Sequence, residues 1–165
     1  MVENKKLNSG PTTYEDWYSL GYILIPCDGS RPVVSWRDEN FNITKEEWKS
    51  KYLDRSLGLR LDTLIDFDVD HPRAKAFAEK WLGGCDAVFG RDHNPTSHYM
   101  WKGKLPNQKF EMPSDLEKYV QFADHGSCLT EIRNGSGQFT IVPGSIHSKN
   151  PEPVRWERYD GFTEY

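Results

Sequence analysis

The stretch Thr63–Asp70 (TLIDFDVD) is the most informative part of this 165-residue chain. Every second residue from Thr63 to Val69 is apolar or a threonine, and the positions between them include Asp66, Asp68 and Asp70. This period-2 alternation predicts a strand with one apolar face. The three carboxylates then project from the other face, with neighbours about 6–7 Å apart.

Like charges at that spacing repel one another, so this face needs a positive partner. Hard divalent cations such as Mg²⁺, Mn²⁺ and Ca²⁺ prefer carboxylate oxygen, and the stretch therefore indicates a metal site. A purely structural alternative stays open, in which the acids lie at a solvated strand end and Asp70 caps the helix that Pro72 begins.

Spacing tests the other motifs that share this pattern. A calcium loop of the EF-hand type is excluded, because the sixth and twelfth positions from Asp66 are His71 and Phe77 rather than Gly and Glu. A haloacid-dehalogenase-like phosphatase would need a further acidic pair, and no convincing one follows. A sugar transferase with an Asp-x-Asp site remains open.

Composition places few limits on function. A chain of 165 residues with six Trp and 13% aromatic residues is long enough for one folded domain with a real core. The net charge of −4 argues against a broadly basic surface without excluding nucleic acid. The three cysteines show no Cys-x-x-Cys spacing, which favours a reducing, cytoplasmic location, and no apolar run is long enough for a membrane span. We expect a flexible arm over 1–11 and a single catalytic domain over 12–165.

The N-terminal half predicts two short capped helices and several strands. Capping boxes at Thr12–Glu15 and Thr44–Glu47 start helices that run to about Leu20 and Tyr52. Strands are predicted at Tyr22–Pro26 and Ser56–Leu61, with further extended structure at Val33–Trp36, and a tight turn at Asp62 brings the Ser56–Leu61 strand back beside the acidic strand.

The C-terminal half predicts one helix, from Pro72 to the Gly83-Gly84 pair, with its apolar residues in the core. Those residues are Ala74, Phe77, Ala78 and Trp81. Short strands follow at Ala87–Phe89, Ser97–Lys102 and Pro153–Trp156, and a hairpin joins Leu129–Arg133 to Gln138–Val142 through the Gly-rich turn Asn134–Gly137. Strands outnumber helices, which predicts the α+β class.

Four further polar positions could carry chemistry, and each also has an ordinary structural explanation. His98 follows Ser97 at the start of a strand. Glu131 is either a solvent-facing strand residue or the third carboxylate of a metal site. Arg133 projects from the same face as Glu131, where it could pair with that acid or bind a phosphate. The turn Pro143–His147 offers N–H groups, a hydroxyl and an imidazole to a phosphate.

Taken in order, these motifs resemble the archaeo-eukaryotic primase superfamily, and most closely the bifunctional primase–polymerase (prim-pol) N-terminal domains of phages and plasmids. The resemblance extends over about residues 14–160. Its motifs are Ile65–Ala74; Val88–Arg91 with Pro95–Tyr99; Thr130–Arg133 with Gln138–His147; Pro153–Glu157; and an opening strand with a Pro-x-x-x-Trp element in Gly21–Trp36.

The resemblance implies an RRM-like antiparallel sheet that carries the acids, packed with a smaller N-terminal α/β unit. It also implies template-directed nucleotidyl transfer with Mg²⁺ or Mn²⁺. Asp66, Asp68 and Glu131 match the catalytic metal ligands, although many relatives have Asp where this chain has Glu131, and Asp70 matches a supporting position. The matches to nucleotide contacts are His98, Arg91, Ser97, Arg133, Ser145 and His147.

The implied partners are a single-stranded DNA template, a primer, dNTPs or NTPs, and a helicase domain in a longer protein, without a membrane. The implied setting is the cytoplasm of a bacterial or archaeal host, with the gene carried by a phage or plasmid. Two alternatives remain: a nucleotide- or nucleic-acid-binding module without turnover, and a metal-dependent nuclease or phosphatase. We expect Asp66→Ala or Asp68→Ala to abolish nucleotide transfer and leave the fold intact.

Overall fold

The computed structural model of the chain describes residues 10–69, 71–112, 128–146 and 151–165. Within those ranges, eight strands form one sheet with only antiparallel pairings between named strands, accompanied by three helices. The predicted α+β class is confirmed. In chain order the elements are α1 Tyr14–Ser19, β1 Leu24–Asp28, β2 Arg31–Pro32, α2 Lys45–Lys51, β3 Ser56–Asp68, α3 Pro72–Leu82, β4 Ala87–Arg91, β5 Asn94–Lys102, β6 Gln108–Glu111, β7 Cys128–Ile141 and β8 Val154–Tyr159.

Strand β3 is the centre of the sheet because it pairs with three other strands. Its first half pairs with β1, as in the register Leu59 to Leu24, and its second half pairs with β5. Strand β7 runs along the opposite edge of both halves. The N-terminal pair β1–β2 therefore shares a sheet with the acid-bearing half, in the order β2-β1-β3-β5-β4-β8.

Two predicted turns are wrong, since both fall inside long strands. The chain does not reverse at Asp62, and β3 continues through it to Asp68; likewise, the Gly-rich segment 134–137 lies within β7. The register between β3 and β7 shifts at this level, so that residues 62–64 bulge from β3 and residues 136–138 bulge from β7. The turn-forming residues behind the two wrong predictions lie next to these facing bulges. Among them, Gly135 has a φ of +93°, which a glycine adopts readily.

The helix starts agree closely with the predicted caps. Helix α2 begins after the N-cap Thr44, whose hydroxyl accepts the N–H of Glu47. In α1 the capping box is one residue later than predicted: Thr13 is the N-cap, and Asp16 is its reciprocal partner. Asp16 reaches back to the N–H groups of both Thr12 and Thr13, which explains the choice.

Several predicted strand bounds need smaller changes. Strand β1 starts at Leu24, and Val33–Trp36 lies outside any strand, although the N–H of Val33 still donates to the carbonyl of Pro26. Strands β4 and β5 extend towards each other into a tight hairpin, which replaces most of the predicted polar loop. The closing strand β8 pairs with β4. None of the helices in the described ranges is long and apolar enough to cross a bilayer.

Helix α3 packs against the sheet face opposite the acids, over a core that includes Ile65, Phe67 and Val69. Its contact with this core runs through Ala74, Ala78 and Leu82, which are spaced by four residues. The prediction that Phe77 and Trp81 belong to the core is wrong, because they are 67% and 75% exposed. They occupy the flank of the apolar stripe and, with Phe67 and Phe110, line an open apolar groove.

The turn after β7 lies directly against the backbone of the N-terminal segment. Gly144 has a φ of +97°, and a Cβ there would collide with the backbone carbonyl of Thr12. Gly21 has a similar φ of +83°, but no atom lies within 4 Å of the position that a Cβ would take.

These two glycines provide a matched test. We expect Gly21→Ala to lower the free energy of unfolding by about 1 kcal/mol, the cost of a left-handed conformation for a residue with a Cβ. Gly144→Ala should cost about 1–3 kcal/mol more, because the Thr12 carbonyl must also move. Urea denaturation of both variants measures the difference, and equal losses would show that the Thr12 contact is absent in solution.

Candidate active site

Strand register brings the predicted acids and bases together on one face of the sheet. Asp68 lies between His98 on β5 and Glu131 on β7, and both are its direct Cα partners. Two residues earlier, Asp66 lies directly opposite Arg133. Residues paired in this way project to the same side of a sheet, so five predicted site residues converge from three strands.

The Arg133 guanidinium bridges the two aspartates. Its Nη2 lies 2.7 Å from Asp66 Oδ2 and 2.9 Å from Asp68 Oδ2. The same nitrogen lies 3.3 Å from the hydroxyl of Thr140, and Nη1 lies 3.5 Å from the carbonyl of Phe139. Asp66 is fully buried, whereas the side chains of Asp68 and Arg133 are 16% and 17% exposed.

His98 supplies the second positive partner of Asp66. Its Nδ1 lies 3.1 and 3.2 Å from the two carboxylate oxygens of Asp66. The imidazole is stacked on Phe89, with ring centroids 4.6 Å apart and an angle of 12° between the planes. Stacking on Phe89 therefore fixes the plane of the imidazole, and the contact with Asp66 fixes which edge of the ring faces the acids.

The electrostatics of the cluster follow from this mutual burial. Burial by itself raises the pKa of Asp66, but the charges of His98 and Arg133 outweigh it and lower the pKa to about 2. Burial lowers the pKa of His98, but Asp66 and Asp68 more than compensate, so it lies above its ordinary value. The pKa of Arg133 is raised by the same carboxylates and Glu131 despite its burial. These interactions therefore favour the charged forms of Asp66, His98 and Arg133.

The accessible part of the cluster lines a cleft of about 300 Å³, close to the lower end of the range for small-molecule sites. Asp68, Glu131, His98, Arg133 and Arg91 all line it, whereas Asp66 is fully buried and is not among the lining residues. The other lining residues come from the N-terminal unit, from the second half of β7 and from β4 and β8: Ser30, Trp36, Arg37, Gly137, Gln138, Phe139, Thr140, Ile141, Gly90 and Val154.

Two predicted nucleotide contacts lie elsewhere. Ser97 precedes His98 on β5, so it faces the α3 side of the sheet, where it is fully buried. Ser145 is 3% exposed, and its hydroxyl accepts the N–H of Leu57 at 2.7 Å and lies 3.3 Å from the Leu57 carbonyl. This arrangement fastens the turn after β7 to β3, and neither serine is among the residues that line the cleft.

Two other predicted site residues, Asp70 and His147, lie outside the described residues. The N-cap of α3 is His71, whose Nδ1 accepts the N–H of Arg73 at 3.2 Å. His71 is itself fully buried beneath the strand end.

Sequence reasoning missed the residues that surround the charges. Phe89 and Thr140 occupy alternate positions of strands that were predicted, and their side could have been inferred once the partner strands were known. Trp36 enters the sequence analysis only as the end of a Pro-x-x-x-Trp element, and no sequence signal singled out Arg37. In the structure the Arg37 guanidinium lies 4.9 Å from the centroid of the Trp36 ring, which packs edge-on against Phe139.

The donor set is chemically suited to a hard cation. Three carboxylates share one sheet face, and the space between Asp66 and Asp68 holds a positive group, the Arg133 guanidinium. Among the described residues, however, no three His, Cys, Asp or Glu side chains are grouped closely enough to ligate a metal ion as they stand. The carboxylates are thus chemically suited to a cation, and the cation between Asp66 and Asp68 in this structure is the Arg133 guanidinium.

The charge network predicts the titration of His98. In metal-free protein we expect the His98 imidazolium to persist above its ordinary pKa of about 6.5. Because the folded-state pKa is raised, the resulting stabilisation is complete below that value and is lost as the pH rises through the folded pKa. NMR titration of the imidazole nitrogens measures this, and a pKa at or below 6.5 would contradict the network.

Unequal burial predicts unequal costs for the two aspartates. Asp66→Ala leaves a mostly buried guanidinium with one carboxylate fewer, so we expect a loss of about 3–5 kcal/mol in the free energy of unfolding. Asp68→Ala should cost about 1.5–3 kcal/mol, because Arg133 keeps its bond to Asp66. Urea melts of both variants compare them. The expectation of an intact fold therefore suits Asp68 better than Asp66, and equal losses would contradict this assignment.

Comparison with known proteins bears on the whole chain. The family model described as "Prim-Pol: Bifunctional DNA primase/polymerase, N-terminal" matches residues 15–164, nearly the full length. Searches of curated proteins and of solved structures found no match. The matched range includes all eight strands and the cleft, and the chain belongs to the bifunctional DNA primase/polymerase (Prim-Pol) N-terminal family.

Proposed function

We propose that this Prim-Pol domain catalyses template-directed transfer of nucleotides to a 3′-hydroxyl, with dNTPs or NTPs as substrates and single-stranded DNA as template. The observation that carries the proposal is the convergence of five residues on one sheet face: Asp68, Glu131, His98 and Arg133 line one cleft, and Asp66 lies buried in contact with His98 and Arg133. Membership of the family supports DNA and nucleotides as the substrate classes.

The carboxylates are proposed to hold divalent cations, Mg²⁺ or Mn²⁺. Asp66, Asp68 and Glu131 provide oxygen ligands from two adjacent strands, so their backbones are fixed by the sheet rather than by loops. The chemistry that such ions supply when bound is stabilisation of the attacking and leaving oxygens in an in-line displacement at the α-phosphate. Asp70, outside the described residues, is proposed as a supporting carboxylate.

The positive side chains of the cleft are proposed to bind the triphosphate. His98 is held by Asp66 and Phe89, which orients its imidazole before any substrate arrives. Arg91 and Arg133 line the same cleft and can bind phosphate oxygens through two N–H groups at once. Such contacts lower the barrier mainly by positioning the substrate and by stabilising developing charge.

The cleft is also lined by two aromatic residues, Trp36 and Phe139, whose rings pack edge-on against each other. Trp36 is only 4% exposed, so Phe139, which is half-buried, presents the more accessible aromatic surface. Aromatic surfaces stack on nucleobases without strong sequence preference. We propose Phe139 as a contact for the base of the incoming nucleotide, and the charged residues as contacts for its phosphates.

Two other functions use the same residues and give different products. A binding module of this fold would take up nucleotide and metal without forming product. A metal-dependent nuclease or phosphatase would shorten DNA or release phosphate in the absence of added nucleotide. Only a polymerase requires a template and releases pyrophosphate as it lengthens a primer.

The test uses Asp68→Asn, because this change removes one site charge and leaves the buried pair of Asp66 and Arg133 in place. Wild-type protein with primed and unprimed single-stranded templates, labelled nucleotides and Mg²⁺ or Mn²⁺ should form template-dependent product. We expect Asp68→Asn to reduce the rate at least about a hundredfold, the scale for loss of one preorganised electrostatic group. The control Asp54→Asn changes an exposed aspartate outside the cleft and should retain full activity.

The outcomes separate the three functions. Product that is lost in Asp68→Asn and kept in Asp54→Asn supports the polymerase, and product without a primer adds primase activity. Shortened DNA without added nucleotide would establish the nuclease instead. Metal-dependent nucleotide binding without any product would establish the binding module.

A further inference from the structure

Arg133 has an unusual position for a residue that is expected to contact substrate. One nitrogen, Nη2, lies within 2.9 Å of a carboxylate oxygen of both Asp66 and Asp68. A divalent ion that bridged the same two oxygens would lie about 2.0–2.6 Å from each and would need the volume that Nη2 fills. The guanidinium and such an ion therefore exclude one another sterically, and their like charges repel.

The remaining contacts of the guanidinium are incomplete. Apart from the carboxylates, Nη2 lies 3.3 Å from the Thr140 hydroxyl, Nη1 lies 3.5 Å from the Phe139 carbonyl, and both contacts are long; Nε is buried without a hydrogen-bond partner. A buried arginine with a purely structural role normally donates hydrogen bonds from most of its five N–H groups. Arg133 is thus held in the gap chiefly by the two carboxylates, and a stronger cation competes for the same attraction.

From this arrangement we infer that Arg133 is the resident cation of the metal-free enzyme, which occupies the metal position between Asp66 and Asp68 and must leave it before a divalent ion binds there. The inference rests on the proposed function for its metal site, and it adds a role for Arg133 that precedes substrate. In this role Arg133 is a positioning residue: it holds the two acids together and sets the affinity of the site for metal.

The burial of Asp66 explains why the position needs a resident cation. A fully buried carboxylate beside a second carboxylate is costly without positive charge, and Arg133 lies within 2.9 Å of both acids. The guanidinium keeps both acids ionised and in place. Once displaced, its charge is left at the cleft that it already lines, where an anionic phosphate is a suitable new partner.

The experiment measures Mn²⁺ binding without nucleotide, by EPR of the free ion. Arg133→Met keeps an apolar stem and removes the competing charge, so we expect it to bind Mn²⁺ roughly tenfold more tightly than the wild-type protein, within the usual range of about 5–150-fold for coupled sites. Arg55→Met removes an exposed arginine elsewhere and should leave Mn²⁺ affinity unchanged. Adding Asp68→Asn to Arg133→Met should abolish the gain, which assigns it to this site.

A weaker or unchanged Mn²⁺ affinity in folded Arg133→Met would overturn the inference. Since that variant could fail to fold, a second measurement uses wild-type protein. We expect Mg²⁺ to shift the ¹⁵Nε–Hε NMR signal of Arg133, identified by its loss in Arg133→Lys, and a signal that stays in place at saturating Mg²⁺ would equally overturn it. Polymerase activity with unchanged Mn²⁺ affinity would refute only this inference, whereas tighter binding without any product would refute only the proposed function.

Discussion

The burial of one carboxylate constrains the whole site. Asp66 has no exposed surface, so its charge must be balanced inside the protein, and two cations from different strands provide the balance. His98 reaches it from β5 and Arg133 from β7. The same requirement holds three strands in register, because a shift of one residue would turn every one of these side chains to the other face.

Strand β3 connects the charged site to the rest of the sheet. Its first half pairs with β1 of the N-terminal unit, its second half carries the acids beside β5, and β7 spans both. The facing bulges in β3 and β7 lie where these halves meet. The cleft is lined by residues from both sides of this junction, among them Asp68 of β3, Trp36 of the N-terminal unit and Phe139 of β7.

The two faces of β3 serve different purposes. One carries Asp66 and Asp68, of which Asp68 lines the cleft, and the other presents Ile65, Phe67 and Val69 to the core under helix α3. The apolar core under α3 holds the strand in place. This packing helps to keep the two acids on one face despite their mutual repulsion. The apolar groove beside Phe77 and Trp81 is a separate surface on the α3 side.

The sequence by itself determined the local features of this protein. Period-2 alternation was sufficient to place Asp66 and Asp68 on one face, Thr44 was sufficient to start α2, and the order of short motifs was sufficient to indicate the family, because each depends on neighbours within a few residues. Tertiary structure alone decided which strands lie side by side. It turned two predicted turns into facing bulges, left Phe77 and Trp81 exposed, fastened Ser145 to β3, and set Arg133 between the acids. These outcomes depend on contacts between residues far apart in the chain, such as Ser145 and Leu57, which are 88 positions apart, and local periodicity carries no information about such pairings.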